Sequence, residues 1–163
     1  MGHPVRKSLP HAVPSWIRPD EAVYFITICC DPRGRNQLCH AKIANALFES
    51  VAFRNQRNEW WTCLFLLMPD HLHMLVSFPP SKDMQSVVSL WKHYGATKLR
   101  IVWQRDFFDH RLRSEESFGD KANYILQNPV RQGLTAKAED WPYVWWPETP
   151  DGRRGAPSLP SRR

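Results

Sequence analysis

A chain of 163 residues, 42% of them hydrophobic, is long enough for one compact domain with a real core. A formal net charge of +6 and a pI of about 9.4 favour an acidic partner, nucleic acid being the commonest, and eight Trp and eight Phe offer rings that could stack on unpaired bases. No opening stretch reads as a signal peptide, and no apolar run nears the roughly 18 residues of a membrane span; four cysteines without a Cys-x-x-Cys spacing argue against a zinc finger and for free thiols in a reducing cytoplasm.

Residues 1–20 hold prolines at 4, 10, 14 and 19 and are expected to form an extended arm, because proline fixes φ and removes a backbone donor. The β-branched and aromatic run Val23 to Cys30 predicts a buried strand, closed by the basic loop Asp31-Pro32-Arg33-Gly34-Arg35-Asn36. Ile43, Leu47, Phe48 and Val51 recur at helical spacing and predict a helix from Ala41 to about Asn58. Trp60 to Leu67 and His71 to Phe78 read as two strands joined by a tight turn at Pro69-Asp70, where proline presets φ and aspartate bonds to the local backbone. Pro79-Pro80 stops the second strand. Met84, Val87, Val88, Trp91, Tyr94 and Leu99 mark a helix from about Lys82 to Ile101. Gly95 weakens it by up to about 1 kcal/mol relative to alanine. Lys92, His93, Lys98 and Arg100 load its later half with positive charge, either as a solvated face or as a track for phosphates.

Trp103 to Leu112 reads as one short strand or as irregular chain. Ser114-Glu115-Glu116-Ser117 opens a last helix, with acids where the helix dipole favours them. It is expected to stop at Gln127 or Asn128, because Pro129 disfavours helical geometry in the residue before it. From Pro142 the chain reads as a coda, and residues 147–163, with Arg153, Arg154, Arg162 and Arg163, as a flexible basic tail. The order β-α-β-β-α-(β)-α predicts an α+β fold: a single ferredoxin-like domain over 21–146, one antiparallel sheet with helices packed against it.

Two constellations carry chemistry. On the strand after Asp70, residues two apart share a face, so His71 and His73 project side by side, roughly 6.5 Å apart at the backbone from a rise of about 3.3 Å per residue. Two imidazoles at that separation can converge on one divalent metal, while Leu72, Met74, Val76 and Phe78 anchor the opposite face in a core. On the last helix Tyr124 and Asn128, four residues apart, point together. If that face lies over the histidines, Asn128 offers a neutral oxygen as third ligand, with Gln127 as its substitute, and mixed nitrogen and oxygen ligation suits Mn²⁺ or Mg²⁺. Such a group supports phosphoryl transfer through a covalent intermediate: the metal polarises a phosphate and the tyrosine oxygen attacks phosphorus. Two other readings stand beside it. Asp106, Asp109 and His110 could serve a metal-dependent nuclease that uses water, or the basic, aromatic surface could belong to a binding module for structured single strands.

Met-Pro-Asp-His-Leu-His-Met-Leu-Val at 68–76 resembles the His-hydrophobic-His motif of HUH single-strand endonucleases, and Tyr124-Ile-Leu-Gln-Asn-Pro-Val-Arg-Gln-Gly-Leu134 resembles the tyrosine helix of their one-tyrosine transposases. Phe25-Ile-Thr-Ile, Leu90-Trp-Lys-His-Tyr94 and Trp103-Gln-Arg-Asp-Phe107 extend the similarity over about residues 20–135, and the likeness is to the REP-associated tyrosine transposases. It implies an HUH-type fold, Tyr124 as nucleophile, and Mg²⁺ or Mn²⁺ on His71, His73 and Asn128, where related insertion-sequence enzymes usually carry glutamine. It further implies cutting and rejoining of single-stranded DNA beside imperfect palindromes that fold into hairpins, through a 5′-phosphotyrosine and a free 3′-hydroxyl, by a monomer or a homodimer.

Overall fold

The computed structural model describes residues 22–113 and 115–148, without the side chains of 115–117. The expected arm (1–20) and the tail from 149 onward lie outside the described residues. The elements run β1 (Tyr24–Cys29), α1 (Ala41–Gln56), β2 (Trp61–Leu67), β3 (His71–Ser77), α2 (Met84–Leu99), β4 (Phe108–Arg111), α3 (Glu115–Arg131) and β5 (Val144–Trp145). The strands form one five-stranded sheet in the order β4-β1-β3-β2-β5, every pair antiparallel. Its first four strands follow the ferredoxin-like order.

Alternation along the strands splits the core in two. Ile26, Ile28, Phe65, Leu67, Leu72, Met74 and Val76 face α1 and α2, where they bury against Leu47, Val51, Val88 and Trp91. Phe25, Leu64, Leu66 and Leu75 face the other way and bury against Phe118, Ala122 and Ile125 of α3. Those three helical positions, spaced four and then three apart, make the single apolar stripe by which α3 docks. Asn55 ties the end of α1 to the start of β2, its amide accepting from Thr62 N–H at 2.9 Å and donating to Thr62 C=O at 3.2 Å.

One expectation needs correction. α3 does not stop before Pro129 but carries it inside the helix and ends at Arg131. Pro129 costs one helical hydrogen bond, the one its missing N–H would give to the Ile125 carbonyl. Burial of Pro129 and Asn128 offsets that loss, and the following N–H groups close the end: Gln132 to Asn128 O at 3.0 Å, Leu134 to Pro129 O at 2.9 Å. Gly133, at φ +71°, supplies the left-handed residue that terminates the helix. The coda after Pro142 is also structured. Leu67 N–H donates to Tyr143 O and Trp141 Nε1 to Leu67 O, each at 2.9 Å, and β5 caps the edge of β2, with Trp145 buried. The undecided stretch 103–112 resolves into a single bridge at Trp103 and the short β4.

Gly95 has a packing reason. A Cβ there would lie 3.1 Å from Trp103 Nε1. Trp103 cannot retreat freely, because Nε1 donates to Lys92 O at 3.0 Å and its ring meets Trp91 at 5.8 Å. Gly95→Leu improves helix propensity by close to ~1 kcal/mol, yet it is expected to lower stability by about 1–3 kcal/mol through overpacking. Thermal unfolding checks this, and a melting temperature at or above that of the wild type would refute the packing argument.

Candidate active site

β1 and β3 set the floor of the site. In their register Thr27 lies opposite His73 and Cys29 opposite His71, and directly opposite residues share a face. His73 is buried, 7% exposed, stacked on Phe25 at 5.4 Å, and its Nδ1 hydrogen-bonds Thr27 Oγ1 at 2.8 Å. Burial, then the neighbouring His71 ring and the positive charges of Arg131 and Arg33, pushes its pKa down to about 3. The imidazole is therefore neutral across the physiological range.

His71 is held from below. Its Nδ1 lies 2.7 Å from Asp70 Oδ1. The other carboxylate oxygen accepts from Arg33 Nε at 2.9 Å and from Gly34 N–H at 2.7 Å. Burial alone would raise the Asp70 pKa; the hydrogen bonds from Arg33, His71 and Gly34 outweigh it and hold the carboxyl well below the usual carboxylate range. Gly34 presents its N–H from φ +84°, a conformation that penalises any Cβ. For His71 itself burial lowers the pKa more than Asp70 raises it, so this ring too favours the neutral form. Arg33 Nη2 also approaches Nδ1, but at 3.5 Å it competes poorly with the carboxylate. A neutral His71 that donates Nδ1–H to Asp70 keeps its lone pair on Nε2.

α3 closes the site from above. Tyr124 and Asn128 share a helix face, as their spacing requires. Asn128, buried, brings Nδ2 to 3.4 Å from His71 Nε2. The two ends of that amide exchange by a half-turn, so Oδ1 can occupy the same position. Tyr124 is 49% exposed and its ring lies 6.4 Å from that of His73 and 6.2 Å from that of Phe25. The Gln127 side chain makes no hydrogen bond among the described residues, although the residue lies on the same helix. Asp106, Asp109 and His110 are exposed on β4 and the loop before it, and none touches the histidine pair. Lys92, one of the basic residues read from sequence as either a solvated face or a phosphate track, donates its ammonium to the carbonyls of Gln104 and Arg105 at 2.8 and 2.9 Å.

The donor set suits a divalent ion. Two neutral imidazoles, each fixed through Nδ1, present Nε2 at a ring separation of 4.9 Å. Among the described residues no third His, Cys, Asp or Glu joins them, so a third protein ligand would be an amide oxygen, leaving positions for water or phosphate. The thiols of Cys30 and Cys39, pushed up to about 12 chiefly by burial, stay protonated and are poor ligands. Sequence reading missed Asp70 as a support, Arg33 and Gly34 as its clamp, and Thr27. The acid directly before the first histidine was visible; its partners across 36 and 37 residues were not.

The family described as Transposase IS200 like matches residues 22–121. That span contains both histidines and stops three residues short of Tyr124. A Haemophilus influenzae protein provisionally named a REP-associated tyrosine transposase is 22% identical over 74% of this chain and 77% of its own. The REP-associated tyrosine transposase of Escherichia coli is 29% identical over 48% of this chain and 50% of its own. Among solved structures, a REP-associated tyrosine transposase bound to a REP hairpin matches with TM-score 0.64 and 21% identity, over 76% of this chain and 75% of that one. The likeness extends the α+β, antiparallel-sheet assignment to that fold. No described helix is long and apolar enough to cross a membrane.

The Asp70 contact fixes a tautomer that can be read directly. Nitrogen-15 shifts of the imidazoles should show His71 carrying its proton on Nδ1. In Asp70→Ala that proton should return to Nε2, the position an unsupported ring favours. An unchanged tautomer in the variant would mean that Asp70 does not orient His71.

Proposed function

We propose, for a chain that belongs to the IS200-like transposase family, that it cuts and rejoins single-stranded DNA beside a hairpin through a covalent 5′-phosphotyrosine on Tyr124. His71, His73 and Asn128 would hold Mg²⁺ or Mn²⁺. The observation that carries the proposal is the convergence of these four side chains, from β3 and α3, on one patch: 4.9 Å between the histidine rings, 3.4 Å from His71 to Asn128 and 6.4 Å from His73 to Tyr124. The relatives with REP-associated transposase names, and the solved one bound to a REP hairpin, support a folded single strand as substrate.

A bound ion would polarise the scissile phosphate and offset charge building on its oxygens. The remaining work falls to the chain. Thr27 and Asp70 keep the two imidazoles from turning, and Asp70 does so from a charge already matched by Arg33. Tyr124 Oη forms a bond to phosphorus as the bond to the 3′-oxygen breaks; the phenolic proton leaves to solvent and the 3′-oxygen ends as a hydroxyl. The phosphotyrosine retains the energy of the phosphodiester, so a 3′-hydroxyl can reverse the step without ATP. A hydrolytic nuclease would need a base near the pair, and Asp106, Asp109 and His110 do not reach it.

Tyr124→Phe removes one oxygen from a half-exposed side chain and keeps the ring contacts, so folding and hairpin binding should change little. Strand cutting and the slow-migrating protein–DNA adduct on a denaturing gel should both disappear. An adduct that persists in the Phe variant would place the nucleophile elsewhere. His71→Ala and His73→Ala are each expected to lower affinity for Mn²⁺ in calorimetry and to abolish cutting; Asn128→Ala should be milder, since water can take its place. Affinity equal to wild type in both histidine variants would sink the metal assignment.

A further inference from the structure

Tyr124 is half exposed, and an exposed tyrosine ordinarily samples several rotamers. One side chain limits it here. Arg131 lies seven residues on, two turns along the same helix face. Its Nη2 donates to the Tyr124 carbonyl at 2.7 Å, and its guanidinium carbon sits over the Tyr124 ring, 4.2 Å from the centroid. Lys121 adds a second cation at 5.5 Å from the same centroid. Phe25 and His73 meet the ring edge-on at 6.2 and 6.4 Å.

A basic residue in the last turn of a helix has an ordinary explanation, since positive charge suits the dipole there. That accounts for the carbonyl contact but not for the guanidinium over a ring seven residues back. Among the described residues no carboxylate pairs with Arg131 or Lys121, and Asp70 is already matched by Arg33. Two cations therefore border the half-exposed phenol, an environment suited to an anion. Arg131 uses one of its five N–H donors on the carbonyl, and a planar fork with donors to spare matches phosphate oxygens.

We propose that Arg131 positions Tyr124 for attack and, through its unused donors, receives a non-bridging oxygen of the scissile phosphodiester. The inference rests on the tyrosine-nucleophile reading above. During the step Arg131 stays protonated; the Tyr124 Oη–phosphorus bond forms, the phosphorus–O3′ bond breaks, and the guanidinium offsets the extra negative charge on the non-bridging oxygens as phosphorus passes through five-coordination.

The experiment is single-turnover cleavage of a labelled hairpin oligonucleotide with Mn²⁺. It is run on the native link and on one carrying a neutral methylphosphonate at the scissile position. Arg131→Ala should slow cleavage of the native link by about 100-fold, the scale of losing one preorganised donor, with hairpin affinity nearly unchanged. On the methylphosphonate, where there is less charge to offset, the gap to wild type should shrink to under about tenfold. Arg131→Lys keeps the charge but loses the fork, and should fall between the two; it carries the comparison should the Ala variant not fold. Wild-type rates in both variants, or a deficit equally large on both links, would overturn the proposal while an adduct in the wild-type protein left the nucleophile reading standing. An inert wild-type protein would overturn both.

Discussion

β3 is hydrogen-bonded along both edges, to β1 on one side and β2 on the other, and side chains along it alternate between two buried layers. A slip of one residue would carry Leu72, Met74 and Val76, all fully buried, out of the layer beneath α1 and α2 and bring His71 and His73 into it. Each aliphatic side chain so displaced forfeits about 1.5–3 kcal/mol, and each imidazole would be buried without a partner. The register is fixed by the apolar face, and the polar face inherits its geometry. The spacing of the two histidines is thus maintained by residues that never touch them.

Having placed two imidazoles in a half-dry layer, the fold must keep them neutral and aimed. Burial achieves the first and hydrogen bonds to Thr27 and Asp70 the second, but the partner of His71 is a carboxylate, whose own burial is costly unless paired. The 31–38 loop resolves this. Arg33 and the Gly34 N–H close on Asp70 Oδ2, while the backbone N–H groups of Gln37 and Leu38 bond Pro69 O at 2.9 and 3.2 Å, and that of Cys30 bonds Asp70 O at 2.8 Å. The turn between β2 and β3 is therefore wrapped on its carbonyl side and on its side-chain side by the same loop. An amide in place of Asp70 would lack the charge that makes Arg33 stay.

What could be read from the sequence was whatever a short period dictates. The alternation around His71 and His73, the four-residue spacing of Tyr124 and Asn128, and the sheet with its helices all follow from repeats of two and about 3.6 residues. What could not be read depends on contacts distant in sequence. Nothing near Gly34 announces that its N–H serves a carboxylate 36 residues away. Nothing near Gly95 shows Trp103 lying on it. Pro129 misled because the local rule, that the residue before a proline avoids helical geometry, omits the burial of Asn128 and Pro129 that offsets the cost. Val144–Trp145 lacked the length of an ordinary strand and pairs only because β2 would otherwise leave an open edge.

The site also has a direction. At one end His73 is 7% exposed beneath Phe25; at the other Tyr124 is 49% exposed, with the cations of Arg131 and Lys121 over its ring. Under the proposed function this polarity serves both roles: immobile imidazoles at a dry end would hold a fixed geometry for an ion, and an exposed Tyr124 would be reachable by a polymer that enters from solvent. One helix, α3, reaches both ends, with Asn128 beside His71 and Tyr124 outermost. The stripe Phe118, Ala122 and Ile125 seats α3 on the sheet, and the adjacent stripe Lys121, Tyr124, Asn128 and Arg131 follows from it by helical geometry. Seating the apolar stripe therefore sets, in one step, how deep Asn128 sits beside His71 and how far Tyr124 stands out. The same packing that stabilises the fold decides the distance between the histidine pair and the Tyr124 ring.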